Sequence, residues 1–156
     1  MEDYTNVLIH AARVGNLEVI RELLSRGVDV NVRDEKGFTP LLIACYNNRP
    51  EAAELLLESG ADVNAGDNGG NTALMGAAFK GLPDVASLLI RHGANLNSQH
   101  GNGGTALMFA TMFGRNELVK LLLESGADAG VLDVRGQSAF DLAMQQGNQE
   151  AITLLA

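Results

Sequence analysis

The sequence predicts an all-α solenoid, in which short helix–turn–helix units stack in a row and hairpin-type turns protrude between them. Two observations carry this. Asp67 to Gly81 (DNGGNTALMGAAFKG) and His100 to Gly114 (HGNGGTALMFATMFG) coincide when shifted by 33 positions, and the same step reaches Thr39-Pro40-Leu41-Leu42 upstream and Ser138-Ala139-Phe140 downstream. A fixed period of this length marks a stacked repeat protein. The composition agrees: the 156 residues are 46% hydrophobic but only 4% aromatic, with no Trp. Leu and Ala dominate, which suits thin layers of closely packed helices.

The register holds without insertion and divides a single domain, 1–156, into units 1–33, 34–66, 67–99, 100–132 and a shorter 133–156. Leu8, Leu41, Leu74, Leu107 and Phe140 form one column; Ala11, Ala44, Ala77, Ala110 and Ala143 form a second. Gly15, Asn48, Gly81, Gly114 and Gly147 form a third. GVDVN (27–31) returns as GADVN (60–64), GANLN (93–97) and GADAG (126–130).

The second unit shows how each element arises. Thr39 is placed to cap a first helix, and Pro40 fits its first turn, where a missing N–H costs nothing. Leu41, Ala44 and Cys45 lie three and four apart and share its buried face. This helix ends near Asn48, in the column otherwise held by Gly, because a left-handed residue is needed there. Pro50 opens the second helix, as Pro83 does one unit later; Leu55, Leu56 and Leu57 supply its buried face and Gly60 stops it. A polar stretch rich in Asn and Gly then reverses the chain. Its tip falls at Lys36-Gly37, Gly69-Gly70, Asn102-Gly103 and Arg135-Gly136, where glycine accepts the positive φ of a tight turn.

On these motifs the unit resembles the ankyrin repeat, whose T-P-L-H-x-A, then Gly, Leu-Leu and Gly-Ala-Asp, runs through the chain. The His of that pattern is replaced throughout, by Ile9, Leu42, Met75, Met108 and Asp141, so its hydrogen bonds to neighbouring turns must be lost or replaced. The first and last units read as caps, the last with Gln145, Gln146, Asn148 and Gln149 as a polar outer face.

Candidates for chemistry reduce to scaffold. The glycines at 101, 103 and 104 precede a helix, as in a phosphate cradle, but no Lys-Ser/Thr ending or G-x-G-x-x-G spacing accompanies them. His10, His92 and His100 have no second ligand at helical spacing, so no metal or other cofactor is expected. Cys45 shares a column with Ala12, Ala78, Thr111 and Met144 and reads as a small buried hydrophobe. Glu18, Glu51, Asp84, Glu117 and Glu150 recur in the first turn of each second helix, where acid complements the helix dipole. An active site is normally built once, not in every unit, so no enzyme is expected.

Net charge is −8. The excess is uneven: residues 34–66 set Asp34, Glu35, Glu51, Glu54, Glu58 and Asp62 against Lys36 and Arg49. Such a surface repels phosphate backbones, which argues against nucleic acid. No run approaches the roughly 20 apolar residues of a membrane span, and no signal peptide opens the chain. With one cysteine, a reducing cytoplasm is the expected location.

The resemblance implies a monomer that binds another protein along a concave groove of turn tips and first helices. At the tips those positions are Glu35, Lys36, Phe38, Asn68, Asn71 and Asn102; on the helices they are Arg13, Val14, Tyr46, Asn47, Phe79, Lys80, Met112 and Phe113. They vary between units while the columns around them stay fixed, and the central ones are apolar, as at protein interfaces. Tyr46, Phe79 and Met112 should form a line, with Arg13 and Lys80 as its polar rim. The role expected is stoichiometric, as inhibitor or adaptor; the alternatives are an enzyme with an unrecognised pocket and a purely structural fragment. Beside this, Gly76 stands one unit before Phe109 in the same column, which predicts that Phe109 fills the space left by the glycine.

Overall fold

The computed structural model describes residues 3–156; the first two residues of the first unit lie outside that range. Among the described residues the chain forms ten α-helices. They are α1 Thr5–Val14, α2 Leu17–Ser25, α3 Pro40–Tyr46, α4 Pro50–Glu58, α5 Ala73–Lys80, α6 Pro83–Arg91, α7 Ala106–Met112, α8 Asn116–Glu124, α9 Ala139–Gln146 and α10 Gln149–Leu155. Odd-numbered helices pack on odd and even on even along the stack, and each odd helix packs on its even partner.

Local chemistry sets the boundaries. The hydroxyls of Thr39, Thr72, Thr105 and Ser138 accept from the backbone N–H of Leu42, Met75, Met108 and Asp141, which satisfies donors that the first turn of a helix leaves free. Every residue of the Gly/Asn column is left-handed: φ is 73° at Gly15, 54° at Asn48, 73° at Gly81, 69° at Gly114 and 63° at Gly147. Asn48 is the one non-glycine with positive φ among the described residues, as its tolerance of that region allows.

The turns need no histidine to hold them. Asp34 Oδ1 accepts from the N–H of Lys36 and Phe38, Asp67 Oδ1 from Gly69 and Asn71, and Asp133 Oδ1 from Arg135 and Gln137. Each turn is tied to the next: the side-chain oxygens of Asn31, Asn64 and Asn97 accept from Asp62, Asn95 and Asp128, at 2.7–2.9 Å. At the tips, Asn68, Gly101 and Val134 donate backbone N–H to the carbonyls of Lys36, Gly69 and Asn102. The tips close like hairpins without forming strands; the only ladder element among the described residues is an isolated bridge between Gly66 and Thr72.

Burial shows which column faces which neighbour. Leu8, Leu41, Leu74 and Leu107 are buried and Phe140 is not; Ala12, Cys45, Ala78 and Thr111 are fully buried and Met144 is not. These columns are buried wherever a further described unit is stacked on them, so they are the ones that the following unit covers. Conversely Val7 is exposed, whereas Pro40, Ala73, Ala106 and Ala139 are buried. That column is covered by the preceding unit. The polar cap expected at the last unit is therefore incomplete: Gln145 and Gln146 are exposed, but Phe140 and Met144 stand beside them.

Candidate functional site

The C-terminal ends of the inner helices turn two columns away from the core. In the central units these carry Tyr46, Phe79 and Met112, and one residue on, Asn47, Lys80 and Phe113. The rings of Tyr46 and Phe79 lie nearly parallel with centroids 6.5 Å apart, and Phe79 meets Phe113 edge-to-face at 4.5 Å. Both separations are in the range where aromatic pairs attract. Phe113, which caps α7, continues the line of rings from Phe79, and Met112 lines the cleft leading to the fifth unit. Tyr46 is 46% and Phe113 44% exposed, with the half-buried Phe79 between them. These rings face solvent.

A carbonyl column of the inner helices, including those of Tyr46 and Phe79, is held from the next unit. Arg49 Nε donates to the Arg13 carbonyl at 3.1 Å, Lys80 Nζ to the Tyr46 carbonyl at 3.2 Å, and Arg115 Nε to the Phe79 carbonyl at 3.2 Å. One carbonyl column near successive helix C-termini is thereby capped by three cations, where positive charge is favoured. Lys80 Nζ also sits 4.4 Å from the Tyr46 ring centroid, a cation–π contact. Lys80 is committed to Tyr46 and does not form the free rim expected of it.

Beside the rings a cleft of about 600 Å³ opens between α3, α5 and the turns. Its apolar walls are Phe38, Leu42, Ile43, Tyr46, Phe79 and Phe109, with Gly76 at its floor. Phe109 does not fill the space at Gly76. A Cβ built there meets only Tyr46 Cδ1 within 4 Å, at 3.5 Å. The Phe109 ring instead leans on His100, with centroids 5.0 Å apart. His100 takes the turn position of Asp34, Asp67 and Asp133, and its imidazole lies where a side chain at Gly104 would be, 2.7 Å from a Cβ there. The glycine-rich stretch is shaped by this ring and by the next turn, since a Cβ at Gly103 would meet the Val134 nitrogen at 2.8 Å.

The remaining expected positions divide. Arg13, Asn47 and Asn71 line the same cleft, Asn102 lines the cleft towards the fifth unit, and Glu35 and Lys36 line a polar one beside the first. Val14 is exposed at the end of α1. Several of the amides are bound to their own scaffold: Asn47 Nδ2 donates to the Ile43 carbonyl, Asn68 Nδ2 to the Glu35 carbonyl and Asn71 Nδ2 to the Asp67 carboxylate. They shape the groove more than they offer free donors. Gly76 and Phe109, paired in the sequence as a packing match, instead both line the cleft beside the rings.

Among the described residues no three His, Cys, Asp or Glu are grouped to hold a metal ion, and no helix is long and apolar enough to cross a membrane. Cys45 is fully buried, and burial pushes its thiol up to about 12. It stays a neutral thiol, a poor nucleophile.

The family model for ankyrin repeats (3 copies) matches residues 8–100 and again 74–156. Over 46 residues, 30% of each chain, the sequence is 46% identical to protein phosphatase 1 regulatory subunit 27 of Homo sapiens, and equally to that of Mus musculus. Over 45 residues, 29% of this chain and 9% of the relative, it is 42% identical to ankyrin repeat and SOCS box protein 3 of Homo sapiens. The match thus spans less than a third of each relative's length. Repeats of this kind generally serve protein–protein interaction. With capped helix pairs, left-handed helix stops, tied turns and two overlapping family matches that together reach from residue 8 to residue 156, this chain belongs to the ankyrin repeat family.

Proposed function

We propose that this protein is a non-catalytic binding module that takes a partner protein along its concave groove, with Tyr46, Phe79 and Phe113 as the central contact and the Gly76 cleft as the pocket for an apolar anchor. The observation that carries the reading is the ring ladder: aromatic side chains of three successive units, in contact with one another and still open to solvent. A contiguous apolar patch of this kind is uncommon on a protein surface without a partner. Its backbone is pinned at Tyr46 by Lys80 and at Phe79 by Arg115, so little ordering is required on binding.

The action is stoichiometric: the module occludes, stabilises or bridges its partner, in a cytoplasmic setting, as five units of one domain. One relative bears the name of a regulatory subunit, which favours such a role over catalysis. Affinity capture from a cell extract, quantified for the parent chain and for variants, tests this. Truncating Tyr46→Ala or Phe113→Ala should cost about 2 kcal/mol of binding if these are hot spots. Glu58→Ala and Glu124→Ala, on the even-numbered helices, should leave the captured protein unchanged. Loss of capture with the glutamate variants alone would place the partner on the convex side and end the proposal.

A further inference from the structure

The line of rings ends in a cation. Arg13 stands in the column of Tyr46, Phe79 and Met112, one unit before the first ring. Of the two cations expected to rim that line, Lys80 is spent on Tyr46, whereas the Arg13 guanidinium makes no hydrogen bond or ion pair among the described residues. Its backbone is held all the same, since Arg49 Nε donates to the Arg13 carbonyl at 3.1 Å.

Around Arg13 the groove is continuous. A polar cleft of about 480 Å³, the Gly76 cleft of about 600 Å³ and the cleft of about 610 Å³ towards the fifth unit follow one another. The first two share Arg13 and Phe38 as walls, and the last two share Phe109. Consecutive clefts suit successive side chains of one linear segment. Arg13 and Asp67 are the two charged residues that line the Gly76 cleft. Asp67 is occupied: Oδ1 accepts from the N–H of Gly69 and Asn71, and both carboxylate oxygens accept from Asn71 Nδ2. The guanidinium of Arg13 is a planar fork of N–H donors without an acceptor.

We infer that the groove takes a linear peptide segment that pairs an apolar anchor with a carboxylate: the anchor enters the Gly76 cleft, and an Asp or Glu beside it, on the side of the first unit, binds Arg13. This rests on the groove reading proposed above and adds the chemistry of the partner to it. A carboxylate can accept two parallel N–H bonds from a guanidinium, the strong charge-assisted geometry. The polar cleft beyond Arg13 favours the same sign. There Asp3 accepts from Thr5, Asp34 accepts from the N–H of Lys36 and Phe38, and Arg33 donates to two carbonyls. The charged groups without a partner of their own are then Arg13 and Lys36 against Glu35. A single acid fits better than an acidic run, because the chain as a whole carries −8 and repels a highly acidic partner.

Selection of linear peptides from a random phage-displayed library tests this, run on the parent chain and on Arg13→Glu with unchanged circular dichroism. Peptides selected on the parent should share an apolar anchor and an Asp or Glu at fixed spacing from it, and Arg13→Glu should replace that acid with Lys or Arg. For one synthetic peptide of the parent set, Arg13→Gln should weaken binding about tenfold or more. The same substitution should change little once the peptide's acid is replaced by its amide. A shared anchor without an acid, or an acid that persists on Arg13→Glu, would overturn the inference and leave the groove reading standing. A Lys or Arg selected by the parent would also overturn it, in favour of Asp67 or Glu35 as the charged contact. Peptides whose binding ignores both Tyr46→Ala and Gly76→Leu would lie outside the groove and end both. No selected peptide at all would overturn the linear segment and leave the groove to a folded partner.

Discussion

Replacing Gly76 with alanine separates what the α5 helix needs from what the cleft needs. Gly76 lies inside α5, Ala73–Lys80, without the positive φ that would demand glycine. In a helix interior glycine is less favourable than alanine by about 1 kcal/mol. The added Cβ would stand 3.5 Å from Tyr46 Cδ1, an ordinary van der Waals contact, with no other neighbour within 4 Å outside its own helix and chain neighbours. No overpacking offsets the propensity gain, so Gly76→Ala should stabilise the fold by about 0.5–1 kcal/mol. At this chain length that is about 1–4 °C in melting temperature. Urea unfolding followed by circular dichroism measures it. Gly76→Leu should keep the gain in stability, project into the cleft and weaken partner capture. Destabilisation by more than about 1 kcal/mol in the alanine variant would refute the reasoning, since it would require a side chain such as Phe109 to pack against the glycine after all.

Four further outcomes are expected. Arg115→Met removes the clamp on the Phe79 carbonyl and should cost about 1 kcal/mol in urea unfolding; no change would mean that water caps that carbonyl equally well. His100→Asp gives the fourth turn the acceptor that its neighbours use for two backbone N–H groups, and should raise stability by about 1 kcal/mol in the same assay. Cys45 has a folded-state pKa raised from 9.0 to about 12, so its contribution is complete below pH 9 and is lost as pH rises towards 12. At roughly 1.4 kcal/mol per unit this amounts to at most about 4 kcal/mol, and Cys45→Ala should flatten the alkaline limb of a stability–pH curve. Hydrogen exchange should be faster over 148–155 than over 118–123, because α10 buries only Ala151 completely whereas α8 buries Leu118, Val119 and Leu122.

The repeat made most of the fold legible. Thr39, Pro40, Asn48 and Pro50 each act through local backbone chemistry that a single sequence displays, and each stands where its column places it. The column of Ala12, Cys45, Ala78, Thr111 and Met144 shows where that legibility ends. Membership predicts burial only where a neighbouring unit exists, so Met144 was grouped with core residues that it does not resemble in environment. At the site, the variable positions of the inner helices were visible as a contrast between columns, but their relations were not. That Lys80 turns back to the Tyr46 carbonyl, that Phe113 meets Phe79 edge-to-face, and that Phe109 leans on His100 all depend on side-chain directions. Sequence spacing alone does not fix these directions.

The central claim is that the ring ladder is where a partner sits. A photo-crosslinking amino acid placed at position 113, and separately at position 124 on the convex side, would test it most directly when each chain is irradiated in a cell extract. The account predicts that position 113 becomes covalently joined to a discrete protein, that Tyr46→Ala in the same chain removes the product, and that position 124 yields none. A discrete product at 124 with none at 113 would contradict it.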